Sequence, residues 1–190
     1  MFISRPTRTT ISLRDVSLLI VDDSIVIRSL TKWALKSGNA GAVREAADGA
    51  GALRVLERFS PDVILVNCRT LPVDGLEFVR RVRDPEVGVH AFARIVMMSR
   101  CRRYRQVLAA RDAGVDEFLI KPLSRAELLA GIRTVIDNPR PFSRTDGYFG
   151  PDRRRQAITH DGPERRKGDE TVVPAGLSET AEIRSTPARL

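Results

Sequence analysis

The chain predicts an α/β fold, a doubly wound five-stranded parallel sheet followed by a disordered C-terminal tail. Two observations carry this. Between residues 17 and 138, five short apolar runs alternate with five stretches of helical periodicity. From 139 to 190 the alternation stops, and Pro, Gly, Ser, Thr and charged residues displace the large apolar ones. Strands that alternate with helices form a parallel sheet covered on both faces, with ligand chemistry at the strands' carboxyl ends. A segment too polar to bury much surface does not offset its ordering entropy.

Residues 1–16 carry Arg5, Arg8 and Arg14 with no apolar run, so they read as a flexible extension without a secretory signal. The first strand, 18–21, ends at Asp22-Asp23, and Ser24 is placed to cap a helix over 25–36. A second strand over 42–46 and a helix over 51–59 follow. The third strand, 63–66, runs into Asn67, and Asp74-Gly75 opens a helix over 76–83. The fourth strand, 95–98, ends at Ser99 before a helix over 103–113. The fifth, 118–120, ends at Lys121-Pro122, and Ser124 with Glu127 forms a capping box for a helix over 126–136. The organisation is an extension over 1–16, a domain over 17–138 and a tail over 139–190, with a ligand-binding segment at about 140–167.

Composition narrows the function classes. No apolar run is long enough to span a membrane, so a cytoplasmic protein without membrane insertion is expected. Cys68, Cys101, His90 and His160 show no metal or disulfide spacing, and cytosolic thiols stay reduced. The net charge of +8 comes mostly from Arg and calls for an anionic partner.

The strand ends hold two acids, a hydroxyl and a lysine: Asp22, Asp23, Ser99 and Lys121. Carboxylates hold Mg²⁺, while Ser and Lys hold phosphoryl oxygens. This set resembles the receiver domain of bacterial response regulators, the CheY-like, flavodoxin-like fold, over about 18–138. Asp22 and Asp23 match its acidic metal-binding pair, Ser99 its hydroxyl position, Phe118 its switch aromatic, and Lys121-Pro122 its lysine-proline signature.

By that resemblance the phosphoacceptor aspartate falls on Asn67. A neutral amide is a far weaker nucleophile than a carboxylate, and it removes one negative charge from the metal site. Arg100 follows the hydroxyl where a small residue is usual, and its guanidinium is expected to reach Asp22 and Asp23 in place of a metal. Pro72 lies one residue later than usual in its loop. The pocket made of Asp22, Asp23, Asn67, Ser99, Arg100, Phe118 and Lys121 is therefore expected to be degenerate, with Mg²⁺ binding weak or lost.

The tail has its own signal. Gly150-Pro151-Asp152-Arg153-Arg154 returns twelve positions later as Gly162-Pro163-Glu164-Arg165-Arg166. Arginine donates to guanine O6 and N7 together and stacks on bases. A neighbouring carboxylate accepts from the opposite guanine edge, and Tyr148 with Phe149 offers stacking planes. With Arg140, Arg144 and Arg155, this pattern is similar to the arginine-rich extension of a CheY-like subfamily that binds cyclic di-GMP. The resemblance implies that Arg140, Arg144, Tyr148, Asp152, Arg153, Arg154, Arg155, Glu164, Arg165 and Arg166 contact that ligand. It also implies docking on a protein partner of the flagellar motor switch or chemotaxis machinery, through helix four, strand five and helix five. The expected function is a non-enzymatic, phosphorylation-independent signalling adaptor. Two alternatives stand beside it: a conventional phosphorelay receiver using Asp62 or Asp74, and an RNA-binding tail.

Overall fold

The computed structural model describes residues 12–153, apart from 85, 87–89 and 146, together with 171–173. Five parallel strands, β1 (Leu18–Val21), β2 (Val43–Ala46), β3 (Val63–Asn67), β4 (Arg94–Ser99) and β5 (Glu117–Ile120), form a sheet in the order β2-β1-β3-β4-β5. Five helices alternate with them: α1 (Ile25–Ser37), α2 (Gly49–Leu56), α3 (Gly75–Arg83), α4 (Tyr104–Ala113) and α5 (Arg125–Asp137). The expected sheet and its five helices are present.

Strand side chains alternate between faces, so each strand feeds two cores. Leu19, Val21, Ile64, Val66, Ile95 and Met97 pack against α2, α3 and α4. Leu18, Ile20, Val63, Leu65, Val96 and Met98 pack against α1 and α5. Burial on both faces explains why these strands read as continuous apolar runs. Helix ends follow local capping. Ser24 accepts from the Ile27 amide, and the Ser124–Glu127 capping box is formed. The second helix starts and stops earlier than expected, because the Asp48 carboxylate accepts from the Gly51 amide at 2.7 Å and fixes its first turn.

Both domain boundaries move outward. The extension expected over 1–16 is docked from residue 12 onward. A single 3-10 turn, Leu13–Asp15, buries Leu13, Val16 is buried beside it, and the Gly41 amide lies 2.9 Å from the Leu13 carbonyl. Residues 1–11 lie outside the described residues.

The larger correction concerns the tail. Residues expected to lack any core form a hairpin of β6 (Phe142–Thr145) and β7 (Tyr148–Pro151), which β8 (Thr171–Val173) joins antiparallel in the order β7-β6-β8. Between the two strands Gly147 supplies the positive φ of 78° that tight hairpin turns demand. Phe142, Phe149 and Phe92 form a three-ring cluster with centroids 5.1 to 5.6 Å apart. The core that 142–151 uses is therefore supplied by the domain, through Phe92.

Beneath the cluster lies a buried ion pair. Arg83 donates from Nη2 to Asp116 Oδ2 at 2.8 Å, from Nε to the Gly114 carbonyl at 2.9 Å, and from Nη1 to the carbonyls of Ala91 and Ala93. Asp116 also accepts from the Ile95 amide at 2.7 Å. Burial pushes the Asp116 carboxyl up and the Arg83 guanidinium down, and the attraction between them opposes both shifts. A buried pair persists only when its remaining donors and acceptors are satisfied, as these are. Gly114 permits the arrangement, since its φ is +95° and a Cβ there would lie 2.9 Å from Arg83 Cγ.

Candidate functional site

Three strand ends bring the receiver-type residues together. Asp22 is buried after β1, and its Oδ1 accepts from the Ser24 amide at 3.0 Å. Its Oδ2 meets Lys121 Nζ at 2.6 Å, across from the end of β5. Lys121 also donates to Asn67 Oδ1 at 3.1 Å, and Asn67 Nδ2 donates to Asp23 Oδ1 at 3.0 Å and to the Arg69 carbonyl at 2.7 Å. Asp22, Lys121, Asn67 and Asp23 thus form one continuous chain of polar contacts.

That chain decides the chemistry. Mg²⁺ requires hard oxygen donors in near-octahedral array. Both Asp22 oxygens are engaged by donors, and Asn67 turns its amide N–H groups toward Asp23 and Arg69. The residues present do not fit a magnesium site of receiver type. Among the described residues no group of three His, Cys, Asp or Glu side chains is placed to hold a metal ion. Asn67 also has no carboxylate oxygen with which to take a phosphoryl group.

The charge that balances the acids comes from a residue other than Arg100. Arg100 is exposed and lines a groove of about 570 Å³ with Leu30, Trp33 and Leu123. Lys121 supplies the cation at Asp22, and Arg28 adds a second by donating to the backbone carbonyls of Asp22 and Asp23. Arg28 went unread because an arginine one turn into an amphipathic helix resembles an ordinary solvated charge. Ser99 is buried, with its hydroxyl accepting from the Cys101 amide at 3.1 Å. Phe118 is half-buried against the α3–α4 core. Both cysteines are free thiols, and burial, with the nearby Asp74 charge, pushes the Cys68 thiol up.

The alternative phosphoacceptors have structural work. Asp62 Oδ2 accepts from the Ser17 amide at 2.7 Å and hydroxyl at 2.6 Å, ahead of β3 and at the other end of that strand from Asn67. Asp74 caps α3 by accepting from the Leu76 amide at 2.7 Å.

Of the residues expected on the ligand, Arg140, Arg144, Tyr148, Asp152 and Arg153 are described, and Arg154, Arg155, Glu164, Arg165 and Arg166 lie outside the described residues. Arg153 stacks its guanidinium 3.9 Å from the Tyr148 ring centre, while its Nε lies 3.8 Å from Asp112 of α4. Tyr148 donates its hydroxyl to the Pro151 carbonyl at 2.7 Å, and the Asp152 amide donates to the Pro141 carbonyl at 2.7 Å. Arg140 and Arg153 line one groove of about 320 Å³ over α4 and β5, together with Arg111, Val107, Leu108 and Phe118. Arg140 Nε is buried there without a hydrogen-bond partner. Arg144 is exposed on β6, opposite Phe149. Sequence reasoning missed the receiver side of this groove, because residues from α4, β5 and the tail converge only through the hairpin.

Comparison with known proteins matches residues 18–133 to the family described as the response regulator receiver domain. The chain is 28% identical over 120 residues to the chemotaxis protein CheY of Bacillus subtilis, covering 63% of this chain and 97% of that protein. It is 32% identical over 124 residues to the response regulator MprA of Mycobacterium leprae, covering 65% of this chain but only 52% of MprA. Among solved structures, the chemotaxis response regulator CheY4 of Vibrio cholerae aligns with a TM-score of 0.59 at 29% identity, covering 63% of this chain and 98% of that one. No helix among the described residues is long and apolar enough to cross a membrane.

Proposed function

Because the chain belongs to the response regulator receiver family, we propose that it is a receiver-derived adaptor that works without phosphorylation and without catalysis. In this reading it binds cyclic di-GMP through its arginine-rich tail and so controls docking on a cytoplasmic protein partner, such as a flagellar motor switch or chemotaxis component. The observation that carries the reading is the Arg153–Tyr148 stack, 3.9 Å from guanidinium to ring centre. Arg153 belongs to the first Gly-Pro-acid-Arg-Arg block, next to Asp152, and Tyr148 lies just ahead of that block. A guanidinium already held flat against an aromatic ring offers its other face to a base, and its planar fork pairs with guanine O6 and N7. The Asp22–Lys121–Asn67–Asp23 chain supports the other half, since Asn67 offers no carboxylate nucleophile and Asp22 is already paired with Lys121.

The test is calorimetric titration of the full chain with cyclic di-GMP, cyclic di-AMP and a short single-stranded RNA. Saturable binding of the guanine dinucleotide alone supports the reading. Equal, steeply salt-dependent binding of all three would replace it with a generic polyanion arm.

A further inference from the structure

The groove over α4 and β5 has features that the receiver fold itself does not require. Its lining is largely apolar, with Val107, Leu108, Val115, Phe118 and Ile120 beside the acids Asp116 and Glu117, of which Asp116 is already paired with Arg83. Its rim carries three guanidinium groups, one from α4 (Arg111) and two from the tail (Arg140 and Arg153). Asp112 holds two of them near each other, Arg111 Nη2 at 3.0 Å and Arg153 Nε at 3.8 Å. The third, Arg140, has a buried Nε with no hydrogen-bond partner. Buried donors and acceptors without partners are rare and mark places where an additional molecule completes the hydrogen bonding.

We infer that this groove is the receiver-side half of the nucleotide site, so that one guanine of the ligand lies between the Arg153–Tyr148 stack and the α4–β5 surface. The inference rests on the proposed ligand and names where on the folded domain it sits. Three lines of chemistry converge. A purine needs a flat apolar or aromatic seat, which Leu108 and Phe118 supply. Its phosphates need cations, and three guanidinium groups border the seat. Volume sets the scale: about 320 Å³ lies at the lower end of the roughly 300–1,000 Å³ typical of small-molecule sites. One nucleotide unit fits, and the remainder of a cyclic dinucleotide lies over the tail.

The consequence is regulatory. The ligand bridges the tail to α4 and β5, so its arrival changes the surface those two elements present to a partner. Tail and receiver then act as one binding unit, and neither part reproduces the affinity alone.

The test uses the full chain. Arg111→Ala and Leu108→Glu alter the groove through α4, and Lys36→Ala, exposed on α1 at the opposite face of the sheet, is the charge control. Cyclic di-GMP is titrated calorimetrically into each protein, and backbone amide shifts of the parent chain are followed by NMR. The expected result is at least a tenfold loss for both groove variants, with shifts at Val107, Val115 and Phe118. Amide spectra that stay dispersed show that each variant is folded. If the parent binds but both groove variants stay within twofold, and shifts are confined to residues after 139, the groove assignment is overturned while the tail reading stands. If the parent does not bind at all, the ligand reading itself fails.

Discussion

The guanidinium of Arg83 lies 5.0 Å from the centre of the Phe142 ring, and that contact joins the receiver core to the tail. Arg83 is simultaneously paired with Asp116, so one side chain at the end of α3 anchors the β4 entrance, the α4–β5 turn and the hairpin.

Removing that anchor should cost more than a surface arginine would. Arg83→Ala leaves Asp116 buried and unpaired, and breaking such a pair costs about 3–5 kcal/mol. Urea unfolding of the variant against the parent measures this. A loss under about 1 kcal/mol, the range of an exposed pair, would show that Asp116 is relieved in another way.

The pocket should be silent to phosphodonors. Incubated with acetyl phosphate and Mg²⁺, the parent chain should carry no phosphoryl group by intact mass. Asn67→Asp restores a carboxylate beside Lys121 and Asp23 and should regain a base-labile adduct. An adduct on the parent would overturn the phosphorylation-independent reading.

Asp152 separates specific recognition from bulk attraction. Its removal raises the net positive charge, so a purely electrostatic arm would bind cyclic di-GMP more tightly. Guanine reading requires the opposite, a loss of roughly 1–3 kcal/mol or about ten- to a hundred-fold in affinity. Calorimetry on Asp152→Ala decides the sign.

Alkaline titration reports on the hairpin. Burial pushes the Tyr148 phenol up, against the opposing pull of Arg153. A folded pKa above the unfolded value of about 10 gives a stabilisation that is fully present below pH 10. It is lost as the pH rises through the folded value. With Tyr104→Phe only one phenol remains among the two tyrosines. Its ultraviolet titration should have a midpoint above about 10, and a midpoint at or below that value would place Tyr148 in solvent.

Sequence and structure part company at particular residues. The strand-end set Asp22, Asp23, Asn67, Ser99 and Lys121 was legible because a parallel sheet puts successive carboxyl ends together. The choice between Arg100 and Lys121 was not, since it depends on which cation the backbone aims inward. Arg83 was hidden among Arg80 and Arg81, where a run of arginines reads as a solvated helix face. The hairpin did leave a local sign, Asp146-Gly147 between Thr145 and Tyr148, but its anchor, Phe92, lies fifty residues upstream of Phe142. Low average hydrophobicity hid a few well-placed rings.

The three-ring cluster also governs where the chain can be cut. A fragment ending at Asn138 takes Phe142 and Phe149 away together, leaving Phe92 facing water and stripping the cover from the Arg83–Asp116 pair. Such a fragment would disturb the α4–β5 turn itself, so its behaviour would not report on the missing tail residues alone. A cut after Asp152 keeps the hairpin closed, because the Asp152 amide makes the closing bond to the Pro141 carbonyl. The practical unit of this receiver therefore runs fifteen residues past its last helix, from Asp137 to Asp152.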